Sequence, residues 1–241
     1  MYYTKLVKQI NKGQISLCHN RGITMNNKHT LQICDIHKAF GKKKVLNGVT
    51  FELTSGECVG IIGMNGSGKT TLFNIIAGES HAQKGNIACD SIISYIPQEN
   101  PLIEDLSTYD NLKLWYCDSP LNLKHELENG VLKELGINDF IKTKVKHLSG
   151  GIKKRLSIGC ALANIPNFLI LDEPSAALDL IAKDIIKNYL FSYKKQGGGI
   201  IIATHDESEL ALCDKVFVLK SGILLEISPD LRGLELVNSL Y

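Results

Sequence analysis

The chain has 241 residues, of which 44% are hydrophobic and 22% charged, and its 27 basic residues exceed its 25 acidic residues by a net charge of +2. This balance lacks the concentrated basic character of nucleic-acid-binding proteins, so we expect no nucleic acid among its partners. No apolar stretch approaches the roughly 18 residues that a membrane span needs, so any membrane attachment must come from another subunit.

The seven cysteines, at positions 18, 34, 58, 89, 117, 160 and 213, are scattered and form no C-x-x-C pair. Their odd number favours reduced core thiols in a cytosolic protein over a disulfide framework. The seven histidines show no metal-ligand spacing, so the sequence predicts no zinc site.

Residues 1–30 show no sustained hydrophobic period, and we expect a loosely ordered lead-in to a single domain at residues 31–241. Met25 is an alternative start of the natural chain. Residues 31–36 and 49–53 alternate apolar and polar side chains, which is typical of half-buried strands in an antiparallel layer. The lysine-rich stretch at residues 38–44 is interpreted as a solvated tip rather than a binding patch.

A glycine-rich loop at residues 63–71 lies between an apolar run at 58–62 and a helical segment at 72–77. In this order of strand, loop and helix, backbone N–H groups converge at a helix N-terminus and can hold phosphate. Lys69 adds a charge for the β and γ phosphates, and the Thr70 hydroxyl is suited to bind Mg²⁺. An ordinary glycine turn is the alternative. The predicted nucleotide-binding residues of the loop are Gly63, Met64, Asn65, Gly66, Ser67, Gly68, Lys69, Thr70 and Thr71.

The composition changes near residue 99, after two predicted short strands, and helical spacing then dominates as far as residue 163. We therefore predict a helical subdomain at residues 99–163, inserted into an α/β core. Afterwards strands and helices alternate, which predicts a mostly parallel sheet with helices on both faces. The predicted strands are residues 86–89, 91–96, 168–171, 200–203, 215–219 and 223–227, and the predicted helices are 106–116, 125–135, 152–163, 180–194 and 207–212.

Two adjacent acids, Asp172 and Glu173, follow the buried-type strand at residues 168–171. Successive side chains of a strand point in opposite directions, so one acid can serve a metal and the other a water molecule. We assign Asp172 to Mg²⁺ and Glu173 to the water that attacks the γ-phosphate. A solvated strand end with two acids is the alternative.

Leu148-Ser149-Gly150-Gly151 completes a series of motifs by which the chain resembles the ATP-binding subunit of an ATP-binding cassette (ABC) transporter of the export type. The resemblance covers about residues 31–227. It includes seven elements in the family's order: Phe40, the loop at 63–71, Gln98, LSGG at 148–151, LILDEP at 169–174, AALD at 176–179 and His205.

The resemblance implies an ATPase that uses ATP and Mg²⁺ and works as a dimer. Two subunits, identical or different, would pack head to tail, so that Ser149, Gly150 and Gly151 of each act on the ATP of the other. Physically, Ser149 is a good N-cap and the two glycines let N–H groups approach a phosphate. A capped helix start without further role is the alternative, and Ile152 stands where the family often has Gln.

Four further roles rest mainly on the resemblance. Phe40 would stack on adenine, and Gln98 would contact Mg²⁺ and report the nucleotide state to the helical subdomain. His205 would contact the γ-phosphate. Asp179 would couple the two sites of the dimer. A core aromatic residue and a plain loop glutamine are the alternatives for Phe40 and Gln98.

Together these features predict an α/β protein with a P-loop NTPase core, an antiparallel β layer and an inserted helical subdomain. The predicted function is the ATP-hydrolysing subunit that drives a transmembrane permease from the cytoplasmic face of the membrane. Residues 95–106 are similar to those of drug and peptide exporters, which favours export of a drug, peptide or lipid-like substrate. The alternatives are a soluble ABC ATPase outside transport and a nucleotide sensor without turnover, against which Glu173 and His205 argue.

Overall fold

The structure is a computed structural model that describes residues 28–231 together with residues 233, 235 and 238. The alternative start at Met25 and the predicted lead-in before residue 28 lie outside the described residues. Within the described part of the chain, no helix combines the length and apolar character that crossing a bilayer requires.

A small antiparallel sheet forms the first layer. Its order is β2-β1-β4, and both pairings are antiparallel. Inward-facing residues of the two long strands are fully buried, in agreement with the alternation predicted for residues 31–36 and 49–53. The strands are β1 (Thr30–Phe40), β2 (Lys43–Thr54) and β4 (Lys84–Cys89).

The second sheet has the order β5-β6-β7-β3-β8-β9. Its first five strands are parallel, and β9 is antiparallel to β8 at the edge. Every residue of β3, β6 and β7 is buried, as expected for parallel strands that are covered on both faces. The strands are β3 (Cys58–Ile62), β5 (Ile93–Ile96), β6 (Phe168–Asp172), β7 (Gly199–Ala203), β8 (Lys215–Lys220) and β9 (Ile223–Ile227).

Helices cover both faces of the larger sheet. On one face, α1 and the antiparallel sheet pack against Val59, Ile61 and Ile170. On the other face, α5 and α6 pack against Leu169 and Leu171. The helices are α1 (Lys69–Ile76), α2 (Thr108–Trp115), α3 (Leu123–Glu128), α4 (Val131–Glu134), α5 (Gly150–Ala161), α6 (Leu180–Lys195) and α7 (Glu207–Leu210).

A helical segment is inserted between two neighbouring strands of the larger sheet. Strands β5 and β6 are paired along residues 93–96 and 168–171, yet α2 to α5 separate them in sequence. The fold is therefore the predicted P-loop NTPase arrangement with an antiparallel layer and a helical insertion. The boundaries at residues 99 and 163 stay a prediction.

The helix predicted at residues 125–135 is wrong as a single element, because the chain breaks between α3 and α4. Gly130 is the N-cap of α4, with φ −107° and ψ −158°. A Cβ at Gly130 would lie 2.1 Å from Glu126 Oε2, and that carboxylate accepts a hydrogen bond from the N–H of Val131 at 3.0 Å. The hydrophobic spacing correctly predicted helix on both sides of Gly130, but it could not predict the turn between the two helices.

Other predicted boundaries shift by a few residues. Helix α1 begins at Lys69 instead of residue 72, α5 begins at Gly150 instead of 152, and α7 ends at Leu210 instead of 212. Strand β5 begins at Ile93, so residue 91 lies outside it.

The cysteine prediction is correct for only part of the described chain. All described cysteines are free thiols, and Cys58, Cys160 and Cys213 are buried as predicted. Cys34 and Cys117 are exposed, so they are not core thiols. Cys18 lies outside the described residues.

Candidate nucleotide-binding site

The glycine loop joins the C-terminal end of β3 to the first turn of α1. Gly66 has φ +78° and Gly68 has φ +111°, a region that side chains with a Cβ rarely adopt. Gly68 is the N-cap of α1, and no side chain caps this helix. The first N–H groups of α1 are therefore free of side-chain partners, which suits them to bind an anion.

A buried hydroxyl in the loop also lacks a partner. Ser67 Oγ is shielded from solvent and makes no hydrogen bond within the described structure. Buried polar atoms are rarely left in this state. Ser67 does not line the nucleotide cavity, so the uncapped start of α1 is the feature that fits a phosphate group.

Lys69 is buried at the start of α1, with 6% of its surface exposed. Its Nζ donates a hydrogen bond to the carbonyl oxygen of Gly63 at 2.7 Å and lies 3.9 Å from Glu173 Oε1. The ammonium is thus held at the loop where a triphosphate would add negative charge.

Thr70 and Asp172 come together from opposite parts of the sequence. The Thr70 hydroxyl donates to Asp172 Oδ2 at 2.6 Å, and Asp172 is 1% exposed. A hydroxyl and a carboxylate oxygen are hard ligands of the type that Mg²⁺ prefers. The pair therefore fits the predicted metal position. No group of three or more His, Cys, Asp or Glu ligands for a metal occurs in the described residues.

Glu173 points away from Asp172, because the chain turns sharply after β6. Its φ is +47°, a conformation that costs of order 1–3 kcal/mol for a residue with a side chain. Its N–H donates to the carbonyl oxygen of Ala203 at 2.9 Å, which anchors the turn to β7. As predicted, the two neighbouring acids face different groups.

Gln98 and His205 flank Glu173. Gln98 Nε2 lies 3.5 Å from Glu173 Oε2, and His205 Nε2 lies 3.9 Å from Glu173 Oε1. Burial lowers the pKa of His205, the charge of Lys69 lowers it further, and Glu173 partly opposes both. The imidazole is therefore neutral at pH 7 and can accept or donate a hydrogen bond beside Glu173.

Lys69, Thr70, Gln98 and Glu173 line one open cavity of about 450 Å³. Asp172 and His205 do not line it; His205 lines a neighbouring cavity of about 260 Å³ that Glu173 also borders. Phe40, which is 58% exposed, lies along the wall of the larger cavity as an aromatic surface that a base could stack on. Of the predicted loop residues, Gly63, Met64 and Ser67 do not line the cavity. The lining residues are Phe40, Lys43, Val45, Asn65, Gly66, Gly68, Lys69, Thr70, Thr71, Gln98 and Glu173.

The LSGG motif does not line this cavity. Ser149 is the N-cap of α5, and its Oγ accepts a hydrogen bond from the N–H of Ile152 at 3.4 Å. A Cβ at Gly151 would lie 2.6 Å from the Cβ of Ala182, so this glycine permits the close packing of α5 on α6. The structure therefore brings Ser149 and Gly150 to a helix start that lies outside the chain's own phosphate site.

Asp179 has a local structural role. Its Oδ1 accepts a hydrogen bond from the N–H of Ala182 at 2.8 Å, which caps α6. The first residues of that helix are exposed, with 84% of Leu180 and 74% of Ile181 accessible.

The residues of the site match a known family. The family model described as ABC transporter matches residues 46–176, which include the glycine loop, the LSGG motif and both acids. The chain belongs to the ABC transporter family.

Two curated relatives and a solved structure illustrate the similarity. The lantibiotic transport ATP-binding protein SrtF of Streptococcus pyogenes is 33% identical over 222 residues, covering 88% of this chain and 95% of the relative. The lipopolysaccharide export system ATP-binding protein LptB of Escherichia coli is 32% identical over 214 residues, covering 81% of this chain and 89% of the relative. The dimeric structure of a bacterial ABC transporter cassette is 25% identical, with a TM-score of 0.74 over 84% of this chain and 99% of that one. This ABC protein is accordingly an ATP-binding subunit and an ATPase.

Sequence reasoning missed three side chains around the site. Lys43 belongs to the stretch that was interpreted as a solvated tip, but it lines the cavity. The Tyr95 hydroxyl lies 3.5 Å from Asp172 Oδ2, and burial together with the charge of Asp172 raises its pKa. Glu209 is 2% exposed and accepts a hydrogen bond from the Thr204 hydroxyl, next to His205. Tyr95 could be found only once the pairing of β5 with β6 was known. Glu209 could have been suspected from sequence, because it is an acid only four residues after His205.

Proposed function

We propose that this ABC subunit binds Mg-ATP in the cavity at the glycine loop and hydrolyses it within a dimer that drives a membrane permease. One observation carries the proposal. Lys69, Thr70 and Glu173 line a single cavity and Asp172 is hydrogen-bonded to Thr70, although these residues come from two segments about a hundred residues apart.

The loop and Lys69 bind the triphosphate. The free N–H groups at the start of α1 donate hydrogen bonds to the phosphate oxygens, and the helix dipole favours their negative charge. Lys69 exchanges its bond to the Gly63 carbonyl for a phosphate oxygen. It then balances the charge that develops during phosphoryl transfer.

Thr70 and Asp172 would hold Mg²⁺, and Gln98 would contribute a side-chain oxygen. A bound Mg²⁺ supplies positive charge to the β- and γ-phosphate oxygens. The Thr70 hydroxyl donates to Asp172; with Mg²⁺ bound, the Thr70 oxygen would ligate the ion and the Asp172 carboxylate would stabilise its charge.

Glu173 orients the water that attacks the γ-phosphate and accepts its proton. It is the acid that faces the cavity, between the amide of Gln98 and the ring of His205. The ring of His205, which lies beside Glu173, contacts the γ-phosphate. Catalysis in this scheme consists of positioning and charge stabilisation.

A second subunit completes each site. Ser149 and Gly150 form a helix start outside the chain's own cavity, and the exposed Leu180 and Ile181 follow Asp179 on the same side of the α5–α6 contact. A partner that packs head to tail brings these groups to the ATP held by the first subunit. The dimeric form of the related cassette supports this arrangement. ATP binds the closed dimer more tightly than the separate subunits, and this difference in affinity drives the closure that moves the permease.

We infer that a transmembrane permease is the second partner and places this subunit at the cytoplasmic face of a membrane. The lantibiotic transport and lipopolysaccharide export relatives favour export over import. The transported substrate is determined by the permease, so the substrate class proposed here, a drug, peptide or lipid-like molecule, rests on these relatives.

Phosphate release and purification from membranes test the proposal. The purified chain should release phosphate from ATP only when Mg²⁺ is present, and EDTA should abolish the release. Tagged protein from native membranes should purify together with a polytopic permease. Phosphate release without any membrane partner would favour an ABC ATPase outside transport. ATP binding without any phosphate release, alone or in the complex, would favour a nucleotide sensor.

A further inference from the structure

Lys154 is a buried lysine that the scheme above does not use. It lies in α5, five residues after Ser149, and only 4% of it is exposed. Its Nζ donates hydrogen bonds to the carbonyl oxygens of Pro97 at 2.8 Å and Gln98 at 3.0 Å. The helix that begins at the LSGG motif therefore holds the backbone of the residue whose side chain approaches Glu173.

This ammonium is costly to bury. Burial lowers its pKa to about 8, against the attraction of the carboxylates of Asp172 and Glu209, which raises it. Its two hydrogen bonds to Pro97 and Gln98 are to neutral carbonyl groups, and a buried charge without a paired carboxylate costs free energy. A straight apolar side chain would avoid this cost, so stability alone is a poor reason for a lysine at this position.

Two ion pairs at the surface join residues on either side of the LSGG motif to the segment that follows Gln98. Lys153 Nζ lies 2.9 Å from Glu104 Oε1, and Lys146 Nζ lies 3.0 Å from Asp105 Oδ1. Both carboxylates are exposed, by 66% and 84% of their side chains, and exposed ion pairs contribute little because water and salt screen them. The hydrogen bonds of Lys154 to residues 97 and 98 are buried, so water and salt do not screen them as they screen these two ion pairs.

We propose that Lys154 is a positioning residue, which holds the main chain at Pro97 and Gln98 so that the Gln98 amide stays beside Glu173. Through this contact, a movement of α5 is transmitted to the nucleotide cavity. Lys154 itself lies outside the residues that line the cavity. The inference rests on the proposed roles of Gln98 and Glu173.

Kinetics of three variants test this role. Lys154→Met removes both hydrogen bonds and keeps a straight, apolar side chain, and Lys154→Gln keeps an amide donor. Lys153→Met is the matched control, because it removes only the exposed pair one residue away. We expect Lys154→Met to lower kcat of ATP hydrolysis about tenfold, since small misplacements of catalytic groups are costly, while KM changes less than about twofold. Lys154→Gln should regain part of kcat, and Lys153→Met should stay within about twofold of wild type.

A double variant decides whether Lys154 acts through Gln98. In the Gln98→Ala background, Lys154→Met should lower kcat no further, because residues that act as a unit are not additive. A further tenfold loss in that background would overturn the proposal, even if the wild type hydrolyses ATP as proposed. A wild type without hydrolysis would instead contradict the proposed function.

Hydrogen exchange provides a readout that does not depend on turnover. Lys154→Met should increase amide exchange at residues 97–105, and Lys153→Met should leave it near the wild-type level. If Lys154→Met does not fold, Lys154→Gln is measured in the same way. Unchanged exchange at residues 97–105 in a folded Lys154 variant would overturn the proposal.

Discussion

The hydroxyl of Thr70 donates a hydrogen bond to the carboxylate of Asp172 at 2.6 Å, and these residues are 102 positions apart in the chain. The bond joins the first turn of α1 to the end of β6, which are the two elements that carry the proposed chemistry. It also keeps the two oxygen atoms that we propose as metal ligands adjacent to each other. Preorganised ligands lose less conformational entropy on binding.

Removal of the Thr70 hydroxyl should weaken Mg²⁺ activation. In Thr70→Val we expect the Mg²⁺ concentration for half-maximal ATPase activity to rise about tenfold to a hundredfold, the loss typical of groups that hold or orient a metal ligand. Thr70→Ser retains the hydroxyl and should behave like the wild type. Titration of phosphate release with Mg²⁺ at saturating ATP measures the shift. Identical Mg²⁺ curves for Thr70→Val and Thr70→Ser would contradict the metal assignment.

Lys69→Ala should reduce ATPase activity by roughly 10² to 10³, the usual loss when one positioned donor is removed. The ammonium is buried at the Gly63 carbonyl, so an exposed lysine elsewhere cannot replace it. Lys42→Ala removes an exposed lysine of the neighbouring loop and serves as the control, with activity near the wild-type level. A phosphate-release assay that finds Lys69→Ala as active as Lys42→Ala would refute the role.

Glu173→Gln should still bind ATP but should not turn it over. The substitution keeps the shape of the side chain and removes the proton acceptor that faces the cavity. Because ATP then persists at the interface, the variant should accumulate as a dimer in saturating Mg-ATP. Light scattering after size-exclusion chromatography measures the dimer fraction. A variant that remains monomeric while ATP is bound would count against both the role of Glu173 and the head-to-tail dimer.

Most of the phosphate site could be predicted from sequence because its residues are consecutive. A loop between a strand and a helix places its own N–H groups, so Lys69 and Thr70 follow directly from the order of residues 63–71. The acids after β6 were predictable for the same reason, since a buried strand must end at the edge of the sheet. Strand alternation predicted that they face different groups, but the structure achieves this by a sharp turn at Glu173, which has φ +47° and follows the end of β6. The roles assigned to these residues stay predictions.

Several contacts between distant segments could not be predicted. The bond between Lys154 and the Gln98 carbonyl joins two elements whose relative position depends on packing across the helical insertion. Lys43 likewise was indistinguishable from its exposed neighbours, because only the curvature of the β1–β2 hairpin brings it to the cavity. The break at Gly130 depends on a carboxylate that replaces a helical hydrogen bond, and hydrophobic spacing carries no information on such a bond.

The ion pair between Lys183 and Asp206 should make stability depend on pH below about 4. Lys183 Nζ lies 2.8 Å from Asp206 Oδ2. This bond is the main reason that the pKa of Asp206 is lowered from 3.8 to about 2, with smaller contributions from Ser208. A carboxyl group whose pKa is depressed by folding stabilises the protein above its unfolded pKa, and this stability is lost as the pH falls through the folded pKa.

Urea unfolding between pH 6 and pH 2 measures this contribution. The wild type should lose stability from Asp206 between about pH 4 and pH 2, in addition to the general loss from other carboxylates. Lys183→Met should show a smaller loss over the same interval, because the pKa of Asp206 returns toward its ordinary value. Parallel stability curves for the two proteins below pH 4 would show that the pair does not shift the pKa.

Gly151 should be required for the packing of α5 on α6, independently of any contact with ATP. A Cβ at this position would lie 2.6 Å from the Cβ of Ala182, a distance at which one helix must move. We expect Gly151→Ala to lower the free energy of unfolding by about 1–3 kcal/mol, the usual cost of overpacking, even though alanine favours a helix over glycine by about 1 kcal/mol.

Two variants isolate this packing effect. Gly150→Ala is the matched control, since the nearest atom to its added Cβ is Leu178 Cδ2 at 3.7 Å, and it should leave stability nearly unchanged or slightly higher. Gly151→Ala combined with Ala182→Gly restores the space between the helices and should recover most of the loss, because the two helix propensities then cancel. Equal stabilities of Gly150→Ala and Gly151→Ala in urea unfolding would mean that α5 and α6 can separate without cost. In that case the glycine at position 151 would have to be explained by phosphate contact alone.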